Sequence, residues 1–124
     1  MLNELKFSTL LFGVSQAIRF SAWKHESFRD HLKKKNCVIQ IKLQDNSQGR
    51  IFRFTSGSVS SEHGIDEHPD AAIVFKDAAT AVSFLKLPAD HGEIIHAAKN
   101  FRVVVEGPDE VVSWFMQLLN MIPS

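Results

Sequence analysis

Pro108 opens a stretch that reads as helix to Ile122, and as a helix it is apolar around too much of its circumference. Proline suits the first helical position, and Asp109 and Glu110 place negative charge where the first-turn amides are unpaired. Beyond them come Val111, Val112, Trp114, Phe115, Met116, Leu118, Leu119, Met121 and Ile122. At 100° per residue these sweep roughly 220° of the helix, where packing against one core needs little more than ~100°. A terminal helix in a small domain cannot have core on all sides. Its surplus asks for a cover: a bound apolar ligand, a partner chain, or another helix of this chain laid across it.

The N-terminal end carries a second surplus. Residues 4–20 read as an amphipathic helix, with Phe7, Leu10, Leu11, Val14 and Ile18 within roughly 100° of one another. Phe12, Phe20 and Trp23 lie off that stripe. Ser27-Phe28-Arg29-Asp30 has the form of a capping box with Asp in the last place. It is expected to start a short helix that turns Phe28 and Leu32 inward and ends in Lys33-Lys34-Lys35.

At Cys37 the period changes to two. Ile39, Ile41 and Leu43 point one way, while Gln40 and Lys42 point the other, towards water. Asp45-Asn46-Ser47-Gln48-Gly49 is turn chemistry, because these side chains bond locally and glycine accepts positive φ. A second strand sets Phe52 and Phe54 opposite Ile51, Arg53 and Thr55, and Ser56-Gly57 makes a tight hairpin into a third. After the polar loop of residues 62–70, Ala71–Phe75 reads as a fourth strand. Asp77 is placed to cap a helix over 78–87 bearing Ala81, Val82, Phe84 and Leu85. Pro88 leads into another helix near 89–98 with Ile94, Ile95 and Ala98, and 101–106 forms a fifth strand. The order α-α-β-β-β-β-α-α-β-α predicts one α+β domain over 1–124. It has a five-stranded, mainly antiparallel sheet with helices packed on one face, and residues 1–36 form an N-terminal helical extension.

Composition narrows the function. A chain of 124 residues buries enough surface for one core without disulfides or metal. Cys37 is the only cysteine, so no disulfide framework exists, and it reads as a small buried residue rather than a nucleophile. The formal net charge is zero, yet residues 1–62 hold ten Lys/Arg against five Asp/Glu, and residues 63–124 hold four against nine. Three adjacent lysines are too small a footprint for nucleic acid and support at most a weak contact with an anionic membrane surface. The apolar stretch at residues 7–18 is interrupted by Ser15 and Gln16 and is too short to span a bilayer. The Ile122-Pro123-Ser124 ending is not a peroxisomal address, and the expected location is the cytoplasm.

Six histidines offer no metal spacing: His91 and His96 are five apart and do not share one helix face. His63 and His68 flank Asp66, Glu67 and Asp70, a cluster that reads as a solvated loop. No nucleophile elbow, phosphate loop or dinucleotide fingerprint occurs, so the chain reads as a non-enzyme without cofactor or metal. Ten Phe, two Trp and no Tyr supply large apolar area with no hydroxyl to satisfy, which suits a dry wall around a hydrocarbon.

From Cys37 to Ile122 the order of elements resembles the sterol carrier protein 2 (SCP2) domain family. The matching pieces are Val38-Ile39-Gln40-Ile41-Lys42-Leu43, the Thr55-Ser56-Gly57-Ser58-Val59 hairpin and the Pro69-Asp70 entry into the fourth strand. The Asp77-capped helix, the fifth strand with Gly107 and the apolar final helix complete the pattern. The family often has glycine just before the fifth strand, where this chain has Asn100. The resemblance implies a sheet and helices enclosing a tunnel for sterols, fatty acids or acyl-CoA, closed by the final helix.

Two functions follow as expectations. The first is a non-catalytic carrier holding a hydrophobic ligand between the final helix and the sheet. Phe54, Phe75, Phe84, Leu85, Phe101, Trp114, Leu118 and Met121 would line the site, with Trp114 at its border. The second is an accessory or docking subunit of an enzyme complex, or a homodimeric module, using Phe12, Phe20 and Trp23 as the contact surface.

Overall fold

Strand β1 (Cys37–Leu43) sits at the centre of a mixed sheet, and every other element is placed by reference to it. In the computed structural model the described residues are 2–84 and 103–122, without the side chains of residues 2, 3, 83 and 84. The helix expected near 89–98, with His91 and His96, lies outside them. β2 (Gly49–Thr55) pairs antiparallel with β1 and with β3 (Ser58–His63), the meander expected from the turn residues. Ser56 and Gly57 both have positive φ, 52° and 84°, as a tight hairpin matched to strand twist requires. On the other side β4 (Ala71–Phe75) runs parallel to β1, and β5 (Val103–Glu106) pairs antiparallel with β4. The order is β3-β2-β1-β4-β5.

Register decides the faces. Cys37, Ile39 and Ile41 lie beside Phe54, Phe52 and Arg50 on one side, and Ile41 and Leu43 lie beside Ile73 and Phe75 on the other. That face is covered by helices. α1 (Leu2–Lys24) lays Phe7, Leu11, Val14 and Ile18 into the core. α2 (Glu26–Leu32) adds Phe28 and Leu32, and α4 (Asp109–Asn120) adds Trp114, Phe115, Leu118 and Leu119. α3 (Ala78–Phe84) packs along α1, its first turn capped by Asp77 Oδ1 accepting from Thr80 N at 2.8 Å.

Two sequence readings need correction. The capping box at Ser27 does not form: His25 is the extended residue before α2, at φ −123° and ψ 122°, and makes no side-chain cap. The chain breaks helix for that single residue, and Ser27 falls inside the first turn. Arg29 then caps the end of α1, donating from Nη1 to the Ala22 and Trp23 carbonyls. Gln40, expected on a wet face, is completely buried. The chain around residues 64–66 folds over that part of the sheet, and Gln40 is the peg that fastens it. The two N–H groups of its Nε2 are shared among the carbonyls of Ile41, Arg50 and Gly64, and its Oε1 accepts from Asp66 N.

Candidate functional site

The excess apolar girth of α4 is absorbed in part by α2. Trp114 and His31 stack with ring centroids 5.5 Å apart and planes 9° from parallel. Each also bonds the other's backbone: Trp114 Nε1 donates to the His31 carbonyl at 2.8 Å, and His31 Nε2 donates to the Trp114 carbonyl at 2.9 Å. A buried indole N–H needs such a partner, and here it is reciprocal. Below the indole, Phe54 meets it edge-on at 4.9 Å, and Phe115 packs against both Phe54 and Phe52 at 6.1 Å.

The expected lining residues therefore separate into groups. Phe54, Trp114 and Leu118 are brought together within the core, where Trp114 is occupied by Phe54 and His31. Phe75 is buried further along the sheet, edge-on to Phe7 of α1 at 6.4 Å. Met121, just past the end of α4, is 37% exposed. The side chain of Phe84, and Leu85 and Phe101 entirely, lie outside the described residues.

Open apolar space is found elsewhere. Between α1 and α3 lies a cleft of about 430 Å³, lined among the described residues by Leu5, Lys6, Thr9, Leu10 and Val82. This volume falls within the roughly 300–1,000 Å³ typical of small-molecule sites. Lys6 is the one cation among those residues. The sequence reading placed Leu10 on the buried stripe, but it sits at the edge of that stripe and is only half-buried. Nothing in the sequence set Val82 opposite it.

Elsewhere the titratable groups have structural roles. Burial, with the Asp70 carboxylate nearby, pushes the Cys37 thiol up to about 11, so it is protonated at neutral pH. Asp66 Oδ1 accepts from His68 N, and Asp70 Oδ2 accepts from Val38 N at 2.7 Å, which ties the polar loop to β1. Among the described residues no three His, Cys, Asp or Glu side chains converge on a common point, and no helix is long and apolar enough to cross a membrane.

The architecture has counterparts among solved structures. One described as UbiJ-SCP2, a ubiquinone synthesis protein, matches 89% of this chain and 88% of its own, with a TM-score of 0.63 and 17% identity. A crystal structure of sterol carrier protein 2 matches 90% of this chain and 96% of its own, at TM-score 0.58 and 12% identity. The chain has the SCP2 fold. A third SCP2 structure, the SCP2-like 2 protein of Aedes aegypti, agrees over 89% of this chain and 96% of its own (TM-score 0.52, 17% identity). No protein-family model matches the sequence, and no curated protein matches it. At such identities the likeness is one of backbone architecture. Here that fold consists of a five-stranded sheet and, at its C-terminal end, helix α4.

Proposed function

We propose that this SCP2-like domain is a non-catalytic binding module for a hydrophobic ligand of fatty-acid, acyl-CoA or sterol-like chemistry, held in the cleft between α1 and α3. The observation that carries this reading is the 430 Å³ of apolar space beside Leu5, Leu10 and Val82. On the α4 side, Phe54 packs against both Trp114 and Phe115. Sterol carrier protein 2, by its description a carrier of sterols, shares the architecture and supports the ligand class. At about 25 cal/mol per Å² of apolar area removed from water, a long acyl chain contributes several kcal/mol, which reaches micromolar affinity after ordering costs. Lys6 at the lip supplies a charge-assisted partner for an anionic head group.

The test is displacement of a fluorescent fatty acid, with native mass spectrometry of the purified protein. The wild type is expected to bind at micromolar concentration. Leu10→Asp is expected to weaken binding at least tenfold, and Trp114→Phe to leave affinity unchanged. Absence of co-purified lipid together with no displacement by any acyl or sterol compound overturns the proposal. Loss of binding in Trp114→Phe but not in Leu10→Asp would move the site to the α4 side.

A further inference from the structure

Helix α1 has two apolar faces on opposite sides. Phe7, Leu11, Val14 and Ile18 are buried, yet Phe12 is 52%, Phe20 53% and Trp23 76% exposed. At 100° per residue the three exposed aromatics lie within roughly 80° of one another, on the side away from the core. Two of them are held in place: the Arg50 guanidinium lies 5.5 Å over the Phe12 ring, and Phe20 packs on Trp23 at 5.8 Å with Lys24 Nζ above it.

The pattern on this face is symmetric about one residue. Phe12, Gln16 and Phe20 form a single i, i+4, i+8 ridge with Gln16 at its midpoint. Gly13 lies beside that ridge and costs a helix interior roughly 1 kcal/mol relative to alanine. Among the described residues nothing stands within 4 Å of where its Cβ would be. An isologous contact requires a surface that meets its own copy after a two-fold rotation, and the Phe12–Gln16–Phe20 ridge reads the same in both directions.

We propose that the outer face of α1 is the contact between two copies of this chain, paired antiparallel about a two-fold axis at Gln16. Phe12 of one copy then packs on Phe20 of the other, twice, and the two Gln16 amides exchange hydrogen bonds on the axis. Thr9 lies under Trp23 of the second copy, and the space above Gly13 receives the Arg19 stem. The antiparallel sense also sets the two Arg19 charges about 9 Å apart along the helices, near one Debye length, where a parallel pair would juxtapose them. At ~150–250 Å² per aromatic side chain, the exposed parts of Phe12, Phe20 and Trp23 amount to roughly 400 Å² per copy. With Thr9, Gln16 and the Arg19 stem, a pair covers about 1,000 Å², the lower bound of a specific interface. A lipid surface would favour an uninterrupted apolar centre, whereas this face has an amide there.

Sedimentation of the full 14.0 kDa chain across micromolar to millimolar concentration is the direct measurement. A concentration-dependent dimer is expected. Phe20→Glu should shift its dissociation constant at least tenfold with unchanged far-ultraviolet circular dichroism, because the residue is exposed. Register is read by cysteine cross-linking, with buried Cys37 as a silent background. Gln16→Cys on the axis should oxidise to a covalent dimer. Thr9→Cys should not, since its two copies would lie roughly 20 Å apart along the pair. A monomer at every concentration, a dimer insensitive to Phe20→Glu, or cross-linking at 9 but not at 16 overturns the proposal. So does a monomer that co-sediments with phosphatidylglycerol vesicles through Trp23.

Discussion

At the scale of single residues, the polar groups that hold this domain together are ones whose partners are distant in sequence. Gln40 bonds the Gly64 carbonyl and the Asp66 amide across 24 and 26 residues of separation. Replacing it with Leu removes the bonds to the Gly64 carbonyl and the Asp66 amide, and the expected cost is about 3 kcal/mol in urea unfolding. Gln40→Glu should fare no better, because the carboxylate cannot donate. Trp114→Ala should cost about 3–5 kcal/mol, and Trp114→Phe about 1–2, since phenylalanine keeps the stack on His31 but abandons its carbonyl. Cys37 should resist alkylation by iodoacetamide at pH 8 in the folded protein and react within minutes once unfolded. Period-two alternation identified the face on which Gln40 lies and then misjudged what covers it. A strand's alternation reports which residues share a side and carries no information about a loop that returns to that side.

At the scale of elements, local chemistry was the reliable guide. The Asp77 cap, the Ser56-Gly57 turn and the final helix are each set by a few adjacent residues, and each formed where the sequence placed it. The Ser27 capping box failed because a second local solution, Arg29 bonding back to the end of α1, competes for the same stretch of chain. The Asp77 carboxyl is held below its ordinary value by accepting hydrogen bonds from Thr80. Its contribution is therefore present at neutral pH and is lost as pH falls through and below the carboxylate range. Asp77→Asn should leave stability near neutral almost unchanged and flatten that acid limb of the pH profile, whereas Asp77→Ala should cost about 1 kcal/mol at pH 7. Gly107 joins β5 to α4 at φ +115°, where an added Cβ would stand 2.7 Å from the Asp70 carbonyl. Gly107→Ala is expected to loosen the β4–β5 edge, seen as faster amide exchange at Val74 and Val104.

At the scale of the whole molecule, the α+β class and strand count were readable because the periodicity switches cleanly at Cys37, whereas the candidate cleft was not. A cleft is a gap between elements, and α1 and α3 are separated by more than fifty residues whose relative placement no local pattern dictates. A ligand held there binds only the folded chain, so saturating acyl ligand should raise the thermal midpoint in proportion to the logarithm of its concentration above Kd.

The parallel pairing of β1 with β4 sets a tempo as well as a shape. The three strands β1 to β3 can zip locally through short turns, but β4 finds its place only when Asp70 reaches Val38, 32 residues back along the chain. Closing that loop costs entropy before any strand contact repays it, so the meander should assemble first and wait. During that wait the unpaired edge of β1, with Ile39 and Ile41 upon it, is open to any passing strand. The window in which a newly made chain can aggregate is thus expected to end with one carboxylate finding one backbone amide.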